Sequence, residues 1–132
     1  MKSTLKKYLL VTIMIALCSG CASTIPVASN QGYIHHLVIA WLKQPGDTAA
    51  QQKLIDATKS LAEIPGVISV TAGRTFASDR AVVDDSFDVA LTIVVKDRAA
   101  LDVYQNHPIH NRVRNDVLKP LVARYIVYDY VD

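Results

Sequence analysis

The chain has 132 residues, 51% of them apolar and 20% charged, with a formal net charge of +2. That length supports one domain, and the apolar share excludes a disordered chain. Two cysteines are too few for a disulfide scaffold, and their spacing does not suit a Cys2His2 zinc site. The positive charge sits at the start. Lys2, Lys6 and Lys7 are three of the 14 basic residues, so from Cys21 onward 11 basic residues face 12 acidic ones, a net of −1. No basic stripe remains for nucleic acid, and no such partner is expected.

Residues 1–20 read as an export signal. Met1–Lys7 is short and basic, Tyr8–Leu17 is an apolar run broken only by Thr12, and Ser19 and Gly20 are small. The run is about half the ~20 residues that a spanning helix needs. Leu17-Cys18-Ser19-Gly20-Cys21 resembles the lipobox of bacterial lipoproteins, although Leu17 lies one position further from the cysteine than usual. The resemblance implies acylation of Cys21 (palmitate among the chains) and cleavage before it. It implies anchoring in a bacterial cell envelope. Ala22 rather than Asp after the cysteine implies the outer membrane, facing the periplasm. One acyl chain anchors only marginally, at ~0.8 kcal/mol per methylene, and two or three hold firmly. Ordinary signal cleavage is the alternative, and it would leave Cys21 as an odd thiol in an oxidising compartment. Residues 21–32 then read as the lipidated cysteine and a tether. The eleven residues after Cys21 reach at most ~36–40 Å. The folded domain is expected over residues 33–132.

Within that domain Tyr33–Leu42 reads as a strand, ended by the turn signal Pro45-Gly46. Asp47–Ile64 reads as a helix. Thr48 with Gln51 fits a capping box, and Leu54, Ala57, Leu61 and Ile64 recur on one face. Pro65-Gly66 stops it. Val67–Phe76 is a second strand, with Val67, Ser69 and Thr71 on one side and Ile68, Val70 and Ala72 on the other. Ala77–Ser86 is a polar, acidic loop. Phe87–Val95 is a third strand with Phe87, Val89, Leu91, Ile93 and Val95 on one face. Asp97 caps a helix bearing Ala100, Leu101 and Tyr104. Pro108 opens another that reaches about Lys119. Arg124–Val131 is the last strand.

The order β-α-β-β-α-(α)-β predicts an α+β, ferredoxin-like protomer with helices on one face of the sheet. The first strand is apolar on both faces, with Leu37, Ile39 and Trp41 on one and Ile34, Val38, Ala40 and Leu42 on the other. A sheet covered on one side should have a wet opposite face. An apolar second face asks for a partner, most simply a second copy packed sheet to sheet.

The four histidines fall in two places, His35 and His36 in the first strand and His107 and His110 after the second helix. His36-Leu37-Val38, Ile64-Pro65-Gly66-Val67, Gly73-Arg74, Tyr104-x-x-His107-Pro108-x-His110 and Asp129-Tyr130-Val131 occur in that order across Ile34–Val131. Together they resemble the stress-responsive dimeric α/β-barrel (Dabb) family. The resemblance implies a ferredoxin-like protomer and a homodimer whose sheets form a barrel. Some members of the family resemble polyketide cyclases. From them His110 carries over as a base and Tyr104 as the hydrogen-bond donor to an enolate oxygen. His36 and His107 are the ligand-binding candidates, in a cavity suited to a small apolar or aromatic molecule.

Each of these residues also has a structural reading. His110 shares a helical face with Val113 and Val117 and suits a hydrogen-bonded core histidine. His107 precedes Pro108 and suits a helix cap. His36, flanked on its face by Ile34 and Val38, either lies within the sheet or lines the pocket. His35 suits packing or an edge, and Tyr104 suits the core. His107 and His110 are three apart, but Pro108 separates them, and neither a metal nor a cofactor is expected. The signatures of haem-handling and quinone-modifying relatives of the fold are not evident. Asp79, Asp84, Asp85 and Asp88 lack EF-hand spacing and read as a solvated acidic loop. There is neither a nucleophile motif nor a glycine-rich phosphate loop. Polyketide cyclases work beside cytosolic synthases, whereas the signal points outside the cytoplasm. The expected function is therefore an envelope-anchored Dabb-domain lipoprotein, stress-related as the resemblance implies, that binds a small ligand. An acid–base enzyme, cyclase- or lyase-like, and a ligand-free interaction protein are the alternatives.

Overall fold

The computed structural model describes residues 32–132. The expected signal, Cys21 and the tether before Gly32 lie outside the described residues. Four strands form one antiparallel sheet in the order β2-β3-β1-β4: β1 (Ile34–Leu42), β2 (Val67–Arg74), β3 (Val89–Val95) and β4 (Val122–Val131). Helix α1 (Thr48–Lys59) continues into a 3-10 turn, Ser60–Glu63. Helix α2 (Arg98–Asn106) is followed by α3 (Pro108–Val113), which runs into a π-helical turn, Arg114–Leu118, and a last turn, Lys119–Leu121. This is the expected ferredoxin-like α+β protomer.

Alternation in β1 and β3 builds the core. Ile34, Val38, Ala40 and Leu42 lie beside Val89, Leu91, Ile93 and Val95, under Leu54, Leu61, Ile64, Leu101 and Tyr104 from the helical layer. Asp97 caps α2 as expected, its Oδ1 accepting the Ala100 N–H at 2.8 Å. Gly66 turns the chain with φ +86°, and a Cβ there would lie 2.6 Å from the Cβ of Ala100. Only glycine suits both conditions.

Several sequence expectations shift for local reasons. Asp47, not a Thr48–Gln51 box, caps α1, accepting the Ala49 and Ala50 N–H groups at 3.0 Å each. Gln51 is buried instead. In β2 the register against β3 shifts between Val67 and Ser69, so Val67 joins Val70 and Ala72 on the core side and Ile68 is exposed. One extra residue is enough to reverse the faces that follow. Phe87 precedes β3 and lines a groove with Leu37, Ile39 and Trp41, on the face opposite the helices. The helix from Pro108 passes through the π turn before Pro120. Proline has no N–H, and its ring would meet the carbonyl four residues back. The Lys119 N–H bonds instead to the Arg114 carbonyl, five residues back.

Asp88, read from sequence as part of a solvated loop, is only 5% exposed. Its carboxylate accepts the Leu42 N–H at 2.8 Å, the Gly46 N–H at 2.7 Å and the Gln51 side-chain amide at 3.4 Å. It thereby joins the end of β1, the turn after it and the first turns of α1 to the start of β3. Burial pushes this carboxyl up, but the Gly46, Leu42 and Gln51 donors together outweigh burial and hold it below the ordinary aspartate value.

Asp88→Ala is expected to cost about 3 kcal/mol in urea unfolding, because it strands buried N–H groups. The folded carboxyl titrates below the unfolded one, so its contribution is complete above the unfolded value of ~3.9 and is lost as pH falls through the lower folded value. The difference between wild type and Asp88→Ala should therefore shrink only in that acid window. A constant difference there would contradict this assignment.

Candidate functional site

A cavity of about 250 Å³ opens between the sheet and the helical layer. Val38 and Leu91 form its floor, and Leu54 and Leu61 one apolar wall. His36, Tyr104, His110 and Arg114, with Thr58 and Gln105, bring polar groups to the lining. Tyr125 and Val127 of β4 form the outer side, where β4 is exposed. The volume corresponds to about eight waters at ~30 Å³ each, enough for a small organic molecule.

His36 is 8% exposed and stands directly opposite Asp129 in the β1–β4 register. Its Nδ1 lies 2.7 Å from Asp129 Oδ1. A carboxylate only accepts, so Nδ1 carries the hydrogen. Tyr104, 2% exposed, meets the His36 ring edge to face with centroids 5.5 Å apart. Burial, and then the Asp129 charge, push the Tyr104 hydroxyl well above its ordinary value. It stays protonated and serves as a donor.

His110 projects from α3 so that its ring centroid is 4.7 Å from that of Tyr104. Its Nδ1 is 3.0 Å from the Gln105 carbonyl oxygen. A carbonyl only accepts, so Nδ1 donates and Nε2 of the neutral ring holds the free lone pair. Burial pushes the His110 pKa down, the Gln105 carbonyl pulls it up, and electrostatic interaction with Arg114, then with His36, pushes it down again. The net direction is below the ordinary histidine value. At neutral pH this is an uncharged imidazole with an available base nitrogen beside a phenol that can donate.

The structure thus brings His36, Tyr104 and His110 into one cavity. His107 is not among the residues that line it; its Nδ1 accepts the Ile109 N–H at 3.2 Å and caps α3. His35 lies on the opposite face, stacked on Tyr130 at 4.6 Å and hydrogen-bonded to Asp132. Among the described residues no cluster of side chains has the makeup of a metal site, and no helix is long and apolar enough to cross a membrane.

Sequence reasoning missed Asp129, Gln105 and Arg114. Arg114 was within reach of it, since it lies one helical turn past His110. Asp129 was not, because its role depends on strand register. Gln105 acts through its backbone carbonyl, which no side-chain pattern reports.

Residues 34–132 match the family described as Stress responsive A/B Barrel Domain, Dabb. Among solved structures, a Dabb family protein with a ferredoxin-like fold from Mesorhizobium loti is 28% identical, with TM-score 0.63, over 77% of this chain and 98% of its own. A dimeric ferredoxin-like protein of unknown function from Thermobifida fusca is 18% identical, with TM-score 0.63, over 78% and 93%. The hydroxynitrile lyase of Passiflora edulis is 17% identical, with TM-score 0.64, over 77% and 94%. At such identities the last two speak for the fold alone. No curated protein matches the chain. The family match takes in all four strands, the Pro65-Gly66 turn and the Tyr104–His110 pair, and the chain belongs to the stress-responsive A/B barrel domain family.

Proposed function

We propose that this domain binds a small apolar or aromatic molecule in the cavity beneath α3, as a homodimer held to the cell envelope through Cys21. The observation that carries the binding reading is the cavity itself: apolar walls, a few convergent polar groups, and about 250 Å³ open between sheet and helices. A filled, closed interior would have favoured an interaction protein without a ligand. Two copies would pack through the sheet face that carries Leu37, Ile39, Trp41, Ile126 and Tyr128. Arg124 covers Trp41 there at 3.5 Å, and Tyr128 is 54% exposed. Dimeric structural neighbours from Thermobifida fusca and Bacteroides fragilis support this assembly. The lipobox-like stretch supports the anchor, and with it an outer-membrane location facing the periplasm.

A second reading makes the cavity catalytic. Its support is the pairing of a neutral His110 with a protonated Tyr104. His110 Nε2 would take a proton from a carbon next to a carbonyl, or from a hydroxyl, and Tyr104 would donate to the oxygen where charge develops. A structural neighbour with this fold is a hydroxynitrile lyase. Lyase- or cyclase-like chemistry is therefore the form this reading takes.

Native mass spectrometry of the protein from its own envelope should show a dimer, acyl chains on Cys21 and a retained small molecule. A bare monomer would refute the pairing, and an unmodified Cys21 would refute the anchor. Val127→Trp places an indole on the cavity wall from an exposed strand position. It should weaken binding of the neutral aromatic probe cinnamamide by about tenfold or more while leaving the melting temperature near that of wild type. Undiminished binding would place the probe elsewhere. For the catalytic reading, the His110 ring should titrate by NMR below the ordinary ~6.5. A midpoint at or above that value would remove the base from the reading.

A further inference from the structure

The readings above give Arg114 no contact with a ligand, yet it lines the same cavity. It opens the π-helical turn, so that Arg114 and Leu118 both reach the cavity wall, one turn beyond His110 and Val113. Its Nη2 donates to Asn111 Oδ1 at 2.9 Å, and Asn111 Nδ2 donates in turn to the Asn106 carbonyl at 3.3 Å. The guanidinium is thus held in place. Its Nε is buried and has no acceptor, and it is the sole buried side-chain nitrogen or oxygen in that condition among the described residues. Nor does Arg114 take part in the ion pairs formed among those residues, which join His35 to Asp132, His36 to Asp129 and Lys59 to Asp56.

Such a group is costly. Guanidinium keeps its charge at any ordinary pH, and a buried donor without an acceptor forfeits the hydrogen bond it had in water. Native interiors rarely leave one unpaired. Asp129 is bonded to His36 at 2.7 Å and forms no ion pair with Arg114. Among the described residues no aspartate or glutamate lines the cavity, Tyr104 is a protonated phenol and His110 an uncharged imidazole. The cavity therefore holds a fixed cation and lacks an anion.

We propose that the ligand of this cavity is an amphipathic carboxylate, an aromatic or short aliphatic acid whose apolar part lies against Val38, Leu61 and Leu91 and whose carboxylate is held by Arg114. The inference rests on the reading of the cavity as a binding site and adds the class of molecule. A planar carboxylate matches the fork of a guanidinium and satisfies the orphaned donor. A single negative charge also neutralises the single fixed positive one. A dianion would leave excess charge against apolar walls.

Calorimetry on the full-length protein, with cinnamate and its neutral isostere cinnamamide, tests the proposal. Cinnamate should bind about tenfold more tightly, the scale of one charged hydrogen bond. Arg114→Gln should bring cinnamate down to the affinity of cinnamamide, and Arg114→Lys should restore part of the preference. Cinnamate, but not cinnamamide, should also raise the NMR titration midpoint of His110, since a bound anion favours the imidazolium. Equal affinity of the two probes in wild type would overturn the carboxylate inference and leave the cavity as a neutral binding site. A preference that survives Arg114→Gln would overturn the role of Arg114. If neither probe binds, the binding-site reading fails, and this inference fails with it.

Discussion

The hydrogen bond between His36 and Asp129 sits where the core, the edge strand and the cavity meet. Alternation along β1 puts His36 in a buried row between Ile34 and Val38, and an imidazole there needs a polar partner. Asp129 stands opposite on β4 and provides it at 2.7 Å. A slip of one residue in β4 would offer Tyr128 or Tyr130 instead and turn Asp129 to the other face of the sheet. The same register delivers Tyr125 and Val127 to the cavity and Ile126, Tyr128 and Tyr130 to the open face. Tyr104 packs edge-on against His36, and His110 against Tyr104, so three rings from β1, α2 and α3 follow from one cross-strand pair.

The electrostatics of the cavity are one-sided. Burial keeps Tyr104 protonated and His110 neutral, and Arg114 keeps its charge. Asp129 is already bonded to His36. Such a lining offers hydrogen-bond donors and, on His110 Nε2, the lone pair of a neutral imidazole. It suits a ligand that brings acceptors, and a reaction in which negative charge develops on oxygen. Binding and catalysis thus call on the same groups in different ways, Arg114 for a charge already present and the Tyr104–His110 pair for one that forms.

The sheet is asymmetric in its cover. Helices bury one face. The other carries Leu37, Ile39 and Trp41 beside Ile126 and Tyr128, around a groove of about 290 Å³ that Phe87 and Asp84 also line. A domain of this size buries a modest share of its surface, so an uncovered apolar face is a substantial part of what remains. β4 is exposed along nearly its whole length, with large apolar side chains pointing both ways. Its outward residues therefore meet either a second copy or solvent, while its inward ones form the cavity wall.

Much of this was legible in the amino-acid sequence, because local chemistry decides it. Alternation in β3 marked its buried face, Pro65-Gly66 and Pro108 marked helix ends, Asp97 read correctly as a cap, and His107 took the cap role offered as its structural alternative rather than the ligand-binding one. The pairing of Tyr104 with His110 came from the resemblance of the Tyr104-x-x-His107-Pro108-x-His110 segment to its family. The rest depended on partners distant in the chain. Asp88 looked like a member of a solvated acidic loop until the end of β1 and the turn after it presented two N–H groups to it. Val67 changed faces through a register shift that no alternation pattern reveals. Asp129 and Arg114 entered the site only once β4 was aligned and the helix before Pro120 had widened. Periodicity and capping act over a few residues and can be read along the chain. The pairing of a buried polar group is settled by whichever atom the fold brings opposite, and only the tertiary structure names that atom.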